Sequence, residues 1–321
     1  MSVQHAQLVV GIDAGGSKTV CQLGDAESNV LRESRGPGAN LQSAGELEVE
    51  KVLHDVLSEV LTDIAHAPAA ICLGMAGVDR PTDGQIVQGI LRRICRGTKT
   101  LVVNDALVAL EAGAPGQPGV VLIAGTGSIA YGRDAGGNAA RAGGWGHVLG
   151  DEGSGFWMGQ QAIRAVLRAI DHRGRATSMA SPICAHFGVT RPQELVHPVY
   201  DGGMRPRAIA AIAPIVGDAA DAGDPVAAEI VDFGAAELAG AAISVATRLQ
   251  LTHGAFALPL AGGIFRSVPR VRALVTAALH ERLPSATIAV LTAEPAWGAV
   301  RLAAELARGA VRIPVYLGAD R

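Results

Sequence analysis

Aromatic residues make up only 3% of the 321-residue chain, so its interior must be built mainly from aliphatic side chains. Charged residues are also few, at 18% against 49% apolar, which is ample material for a sizeable core. Net charge is −3 and no basic run stands out, which argues against a nucleic-acid surface. No apolar stretch reaches the ~20 residues that cross a bilayer. No basic segment followed by an apolar one opens the chain, so a cytoplasmic location without a membrane partner is expected. Cys21, Cys72, Cys95 and Cys184 are far apart, with no C-x-x-C pair and no His/Cys ligand spacing. That excludes a disulfide scaffold and predicts four reduced, buried thiols. A P-loop is missing too. Gly11 and Gly16 have its glycine spacing, but Ser17 stands where its lysine belongs. The residues after Lys18 read as a strand, whereas a P-loop or a dinucleotide turn enters a helix.

Glycine is plentiful, at 41 of 321 residues, about 13% against a usual ~7%. The excess falls in ordered-looking turns. Two of them, VVGIDAGGSKTV (9–20) and VVLIAGTGSIAYG (120–132), read as strand, tight Gly/Ser/Thr turn, strand. Glycine lets backbone N–H groups approach an anion, and a Ser or Thr hydroxyl adds a donor. One such turn is a weak signal. Two of them, one opening each half, suggest a duplicated fold gripping one polyphosphate. An acid within the first turn, Asp13, would repel a bare polyphosphate and makes sense if Mg²⁺ or its waters intervene.

The order of elements is mixed α/β. A third strand near 30–34 follows the first hairpin. Ser43-x-x-Glu46 is a capping-box pattern ahead of a helix carrying Leu53, Val56, Leu57, Val60, Leu61 and Ile64. Strands over 70–74 and 100–103 alternate with helices over 84–94 and 106–112. The run 114–119 (APGQPG) is the best linker, giving domains 1–118 and 119–321. From Val120 the plan repeats, with a helix over 154–170, strands over 258–261 and 287–291, and a last helix, about 297–308, expected to pack back on the first domain.

Asp105 ends a buried strand, where polar groups of an α/β sheet face a ligand crevice. Asn104-Asp105 before a helix is equally an N-cap pattern. Phosphoryl transfer to an alcohol needs an Asp that accepts the hydroxyl proton, which Asp105 would supply. The densest motif is GGWGHVLGDEGSG (143–155). Six glycines, Trp145, His147, Asp151 and Glu152 make no amphipathic element, and such a segment suits a polyol pocket: a carboxylate for hydroxyls, bared backbone, and an aromatic wall. A packing or hydrogen-bonding role fits His147 better than metal ligation. Glu152 competes with Asp151 or caps the next helix.

GIDAGGSKT, VNDA (103–106), AGTGS (124–128), GGWGHVLGDEGSG and LAGGIF (260–265) together resemble the N-acetylglucosamine kinase branch of the BadF/BadG/BcrA/BcrD ATPase family, within the sugar kinase, Hsp70 and actin superfamily. The resemblance covers nearly the whole chain, and its specific part is the GGWGHVLGDEGS run. It implies two RNase H-like (actin-like ATPase) domains with mixed sheets around a central cleft, binding ATP and Mg²⁺. It implies phosphate contacts from Asp13, Gly15, Gly16, Ser17, Lys18, Gly125, Thr126, Gly127 and Ser128. Asp13 would meet the metal through water, and Gly262 and Gly263 would lie by the nucleoside. Asp105 would be the base. Asn40, Asn104, Asp105, Gly144, Trp145, Gly146 and Asp151 would line the amino-sugar site. The activity implied is phosphorylation of the 6-hydroxyl of N-acetylglucosamine, in a homodimer.

Ala76 in GMAGVD departs from a serine in the animal enzymes, so glucosamine and related hexosamines stay open. A dehydratase activator with a shared iron–sulfur cluster needs clustered cysteines, which this spacing does not offer. A DNA-binding sugar sensor needs a helix-turn-helix module, which the short stretch before Val9 does not fit.

Overall fold

The computed structural model describes residues 7–41, 45–78, 81–200 and 206–317. The chain divides into two compact units: residues up to Gly119 with Gly132–Ala139 and everything from Leu291 onward, and Val120–Tyr131 with Ala140–Val290.

In the first unit, β1 (Val9–Ala14), β2 (Lys18–Gly24), β3 (Val30–Pro37), α1 (Glu46–Val60), β4 (Ala70–Met75), α2 (Pro81–Ile94), β5 (Lys99–Asn104) and α3 (Asp105–Gly113) come in that order. The sheet order is β3-β2-β1-β4-β5. β1, β2 and β3 pair antiparallel, while β4 runs parallel to β1 and β5 to β4. All six residues of β1 and of β4 are buried, as expected of central strands covered on both faces. On α1, Val49, Val52, Leu53, Val56, Leu57 and Val60 recur at three- and four-residue steps and close the core with Val87, Ile90 and Leu91 of α2. The N-cap of α1 is Gly45, and Ser43 of the capping-box pattern lies outside the described residues. Cys21 and Cys72 are buried in this unit and Cys184 in the other; Cys95 is only half-buried, because it sits just past the end of α2.

The second unit begins on β6 (Gly119–Ala124), β7 (Ser128–Arg133) and β8 (Asn138–Gly143), then α4 (Gly155–Ile170), α5 (Ala180–His186), α6 (Val196–Tyr200), α7 (Pro206–Ala210), α8 (Ala213–Asp221), α9 (Pro225–Arg248), β9 (Phe256–Ala261), α10 (Ile264–Ser267), α11 (Pro269–Arg282) and β10 (Ala286–Val290). Its sheet runs β10-β9-β6-β7-β8, the same order as β5-β4-β1-β2-β3, so the plan repeats. α9, 24 residues with a mean hydropathy of 1.4 over its apolar window, is long and apolar enough to cross a bilayer. That corrects the expectation of no such stretch, which overlooked the alanines. Half of the window is buried, with Ile230, Leu238 and Val245 in the core beside Phe156 and Leu258.

The chain closes on α12 (Pro295–Arg308) and β11 (Val315–Tyr316), which joins β8 by pairing Val315 with Asn138. α12 packs within the first unit at two glycine contacts. A Cβ at Gly11 would lie 2.1 Å from Val300 N, and one at Gly298 would lie 2.0 Å from Val108 O. Backbone thus meets backbone, which fixes β1 and α3 against a common helix. The run 114–117 is not a loose linker. Glu111, 2% exposed, accepts hydrogen bonds from Arg133, from Arg301 Nε (3.1 Å) and from Gly116 N–H (3.1 Å). Arg133 donates to Ala114 O (3.0 Å) and Gln117 O (2.9 Å).

Candidate active site

The first unit brings its predicted residues to one sheet edge. β1, β4 and β5 are parallel, and the register aligns Ala14, Met75 and Asn104, so Asp13 and Asp105 emerge at the same end. The glycine turn joins β1 to β2 and is closed by Gly15 N–H to Lys18 O (3.0 Å). Ala39 N–H donates to Gly15 O (3.1 Å), and a Cβ on Gly38 would lie 2.4 Å from Gly16 O. The 38–39 segment therefore backs this turn. Asn40 comes next and reaches Ala76 O through Nδ2 at 3.5 Å.

Asp13 is 9% exposed, and burial pushes its carboxyl up to about 7. The Asp105 charge adds to the rise, Lys18 opposes it, and Glu294 adds a little. The Lys18 ammonium pairs with Glu294 Oε2 (2.9 Å), and Arg35 Nη2 takes Glu294 Oε1 (3.0 Å). Burial raises the Glu294 carboxyl, but these two donors outweigh that and hold it below its usual range. Asn104 is the N-cap of α3, accepting from Ala106 N–H at 2.8 Å. Capping is thereby Asn104's task, and half-buried Asp105 takes the first helical position, where the helix N-terminus favours an acid. Asn104 Oδ1 is committed to that cap, although the sequence placed the residue against the sugar.

Among the described residues no cluster of three or more His, Cys, Asp or Glu side chains is arranged to hold a metal. One buried carboxylate with a second beside it does suit Mg²⁺, which usually takes one or two carboxylates and completes its shell with water and phosphate oxygens.

In the second unit the turn 125–128 is held from behind by α4. Gly155 N–H donates to Gly125 O (2.8 Å) and Phe156 N–H to Thr126 O (3.2 Å). A trans peptide points its N–H opposite its C=O. The Thr126 and Gly127 N–H groups therefore face away from α4, as an anion site requires. Gly16, Gly125 and Gly263 all have room for a Cβ, with nothing within 4 Å, and none has a left-handed φ. The fold does not demand glycine there, whereas close approach of a ligand would. Gly262 is different. Its φ is +99° and a Cβ would lie 2.2 Å from Ala124 O, so it is required by the packing of β9's end on β6.

The segment 143–154 is coiled by left-handed φ values at Gly143, Gly144, Gly146, Asp151 and Gly153. Asp151, 7% exposed, accepts backbone hydrogen bonds from Ser128 and Gly146, and its Oδ2 would lie 2.7 Å from a Cβ at Gly127. Burial raises its carboxyl; the Ser128 hydrogen bond and the His147 charge oppose the rise. The nearest neighbour to a Gly127 side chain is thus Asp151 rather than only a phosphate, so that glycine has a structural reason as well. Ser128 Oγ donates to Glu152 O (2.9 Å).

Ser154, not Glu152, caps α4, accepting from Trp157 N–H at 3.1 Å. His147 packs edge-on against Phe156, with ring centres 4.8 Å apart. Trp157 stacks on Phe233, which removes it from the site, while Trp145 stays 63% exposed. The sequence reading missed Glu294 and Arg35. Both lie outside the motifs, and Glu294 is 276 residues from its partner Lys18.

The sequence pattern of the BadF/BadG/BcrA/BcrD ATPase family matches residues 10–303. An N-acetylmuramic acid/N-acetylglucosamine kinase of Clostridium acetobutylicum is 35% identical, over 92% of this chain and 97% of its own. An N-acetyl-D-glucosamine kinase of Dictyostelium discoideum is 30% identical, over 92% and 98%. Among solved structures, a provisionally named N-acetylglucosamine kinase of Chromobacterium violaceum superposes with a TM-score of 0.75 at 24% identity, over 92% and 98% of the two chains.

Proposed function

The chain belongs to the BadF/BadG/BcrA/BcrD ATPase family, and from that premise we propose that it is an ATP-dependent kinase placing phosphate on the 6-hydroxyl of an amino sugar, N-acetylglucosamine first. The carrying observation is Asp105: a half-buried carboxylate, relieved of capping by Asn104, at the sheet edge that also bears Asp13 and the first glycine turn.

Asp105 accepts the proton as the sugar hydroxyl attacks the γ-phosphoryl group. Little covalent chemistry then falls to the protein, and the rest is positioning and charge stabilisation. The outward N–H groups of Thr126 and Gly127, with the Ser17 and Thr126 hydroxyls and the open backbone at Gly16 and Gly125, hold phosphate oxygens. One such donor is typically worth ~3–4 kcal/mol in a transition state. Lys18 adds a cation whose place Glu294 fixes. Gly262 and Gly263 border the nucleoside. Asp13 would hold Mg²⁺ through water, and the ion would neutralise developing phosphate charge.

Asn40, Trp145, Gly146 and Asp151 hold the sugar. Asp151 also ties its loop to the second turn, so sugar and phosphate sites share a support. The names of its relatives bring glucosamine and N-acetylmuramic acid into the same substrate class. A cytoplasmic homodimer completes the reading.

The test is ADP release measured across a panel of amino sugars, with the product's phosphate located by NMR. N-acetylglucosamine should rank among the best substrates and carry phosphate on O6. Sugar-independent ADP release, or phosphate on another oxygen, overturns the reading.

A further inference from the structure

We infer that Arg35 is a positioning residue for the transfer: acting through Glu294, it keeps that carboxylate paired when the Lys18 ammonium turns to a nucleotide phosphate. The inference rests on the reading that the first glycine turn holds phosphate.

The residues concerned lie on one face of the first sheet. The register pairs Asp13 with Val20 and Val20 with Arg35 across β1, β2 and β3, and Lys18 lies two residues before Val20 on β2. Directly paired residues project to the same side of a sheet, and residues two apart along a strand do so as well. Lys18 and Arg35 thus share the face that carries Asp13. Glu294 meets both from the start of α12. It stands at the N-cap, yet its side chain makes no capping bond. Both oxygens are used instead: Oε2 accepts from Lys18 Nζ (2.9 Å) and Oε1 from Arg35 Nη2 (3.0 Å). Glu33 aims the arginine, accepting from Arg35 Nε at 2.8 Å, and buried Gln22 donates to Glu33 from Nε2 at 2.8 Å. The chain of contacts therefore starts at a buried residue of β2 and ends on a half-exposed ammonium.

An ammonium carries three donors on a flexible stem, whereas a guanidinium is a rigid fork. Lys18 is therefore the partner that can move. A half-buried carboxylate stripped of its donor is costly, and that cost would oppose the lysine's move. Because Arg35 holds the other oxygen, Glu294 stays paired whether Lys18 faces it or a phosphate. An exposed ion pair of this kind is worth up to about fivefold in an equilibrium constant, which sets the size of the effect.

The experiment is calorimetry of ATP and of adenosine on the full chain, with Arg35→Gln, Arg35→Lys, Glu294→Gln, Lys18→Met and their pairwise combinations. Arg35→Gln should weaken ATP about two- to fivefold. Arg35→Lys should recover part of that, and adenosine should bind alike in all. In a Glu294→Gln or Lys18→Met background, Arg35→Gln should have no further effect. If it weakens ATP equally in those backgrounds, Arg35 acts as a distant charge and the inference is overturned. A parallel loss of adenosine binding makes Arg35 a plain structural support and overturns it too. If Lys18→Met weakens ATP and Arg35→Gln does not, the inference falls while the phosphate reading stands. If Lys18→Met itself leaves ATP affinity unchanged, the reading of this lysine falls and the inference with it.

Discussion

The two glycine turns share one sequence device and differ in how they are built. The first is surrounded by ionisable side chains: buried Asp13, then Lys18 held by Glu294, itself held by Arg35. The second is built from backbone: α4 fixes its carbonyls, and Asp151 accepts the Ser128 N–H. A strand–glycine–strand pattern therefore specifies a shape, and the residues packed behind the turn decide whether it supplies charge or hydrogen-bond donors.

The largest test of this contrast is Asp105→Asn. If the first unit supplies the charge chemistry, this change should lower kcat by roughly 10²–10⁴-fold, the usual worth of general-base catalysis. ATP affinity by calorimetry should stay within a few fold, since the donors of the second turn are untouched. Near-normal turnover would remove Asp105 from the reaction.

Next is Asp13, whose folded carboxyl stands at about 7 against an ordinary 3.8. Because the value is raised, the folded state holds the extra proton between those limits. Asp13's contribution to stability without ligand is most favourable below about pH 4 and declines as pH rises toward 7. Asp13→Asn removes that penalty. Thermal unfolding should show the variant more stable than the parent by about 2–4 kcal/mol at pH 8 and little different at pH 4. An equal shift at both pH values would mean that the aspartate is not held protonated. The same variant should lose metal–nucleotide affinity, so the stability gained is opposed by function.

Asp151→Ala probes the second turn. It strands the Ser128 and Gly146 N–H groups, each costing ~1–3 kcal/mol when buried and unmet. Sugar KM should rise steeply, and denaturant midpoints should drop as well. Glu152→Ala, at a residue that does not cap α4, should do much less. A large effect at Glu152 alone would exchange their roles.

Much of the fold and of the site was legible in the sequence, for physical reasons that differ by residue. Strands β1, β4, β5 and β9 announced themselves as short apolar runs ended by Gly, Asn or Asp, and α1 by its helical period. Asp13 and Asp105 were placed because a strand's end fixes the position of the residues at its mouth. The Asn104 cap was an even alternative until the hydrogen bond to Ala106 N–H decided it. The Lys18–Glu294 pair joins residues 276 apart, and no local pattern encodes that. The contact of Gly127 with Asp151 was likewise invisible, because it depends on how a coiled glycine loop returns to a hairpin. The helices between α4 and α9 are short and weakly periodic, so their existence could be seen only in the fold.

The smallest effect separates the glycines themselves. Gly16 has open space where a Cβ would stand, while one at Gly127 would approach Asp151 Oδ2 to 2.7 Å. Gly16→Ala should therefore leave stability within about 0.5 kcal/mol, as for surface changes that touch nothing. Gly127→Ala should cost about 1–3 kcal/mol, because the buried carboxylate must shift from its two N–H donors. In ATP affinity the order should narrow: both changes put a methyl where the backbone is meant to meet phosphate, so calorimetry should show both weakened. If Gly16→Ala binds ATP as tightly as the parent, the open space at the first turn is not a phosphate approach. The comparison would then reduce to one donor turn and one charged loop. If both variants lose stability equally, the packing difference between the turns is not felt in solution.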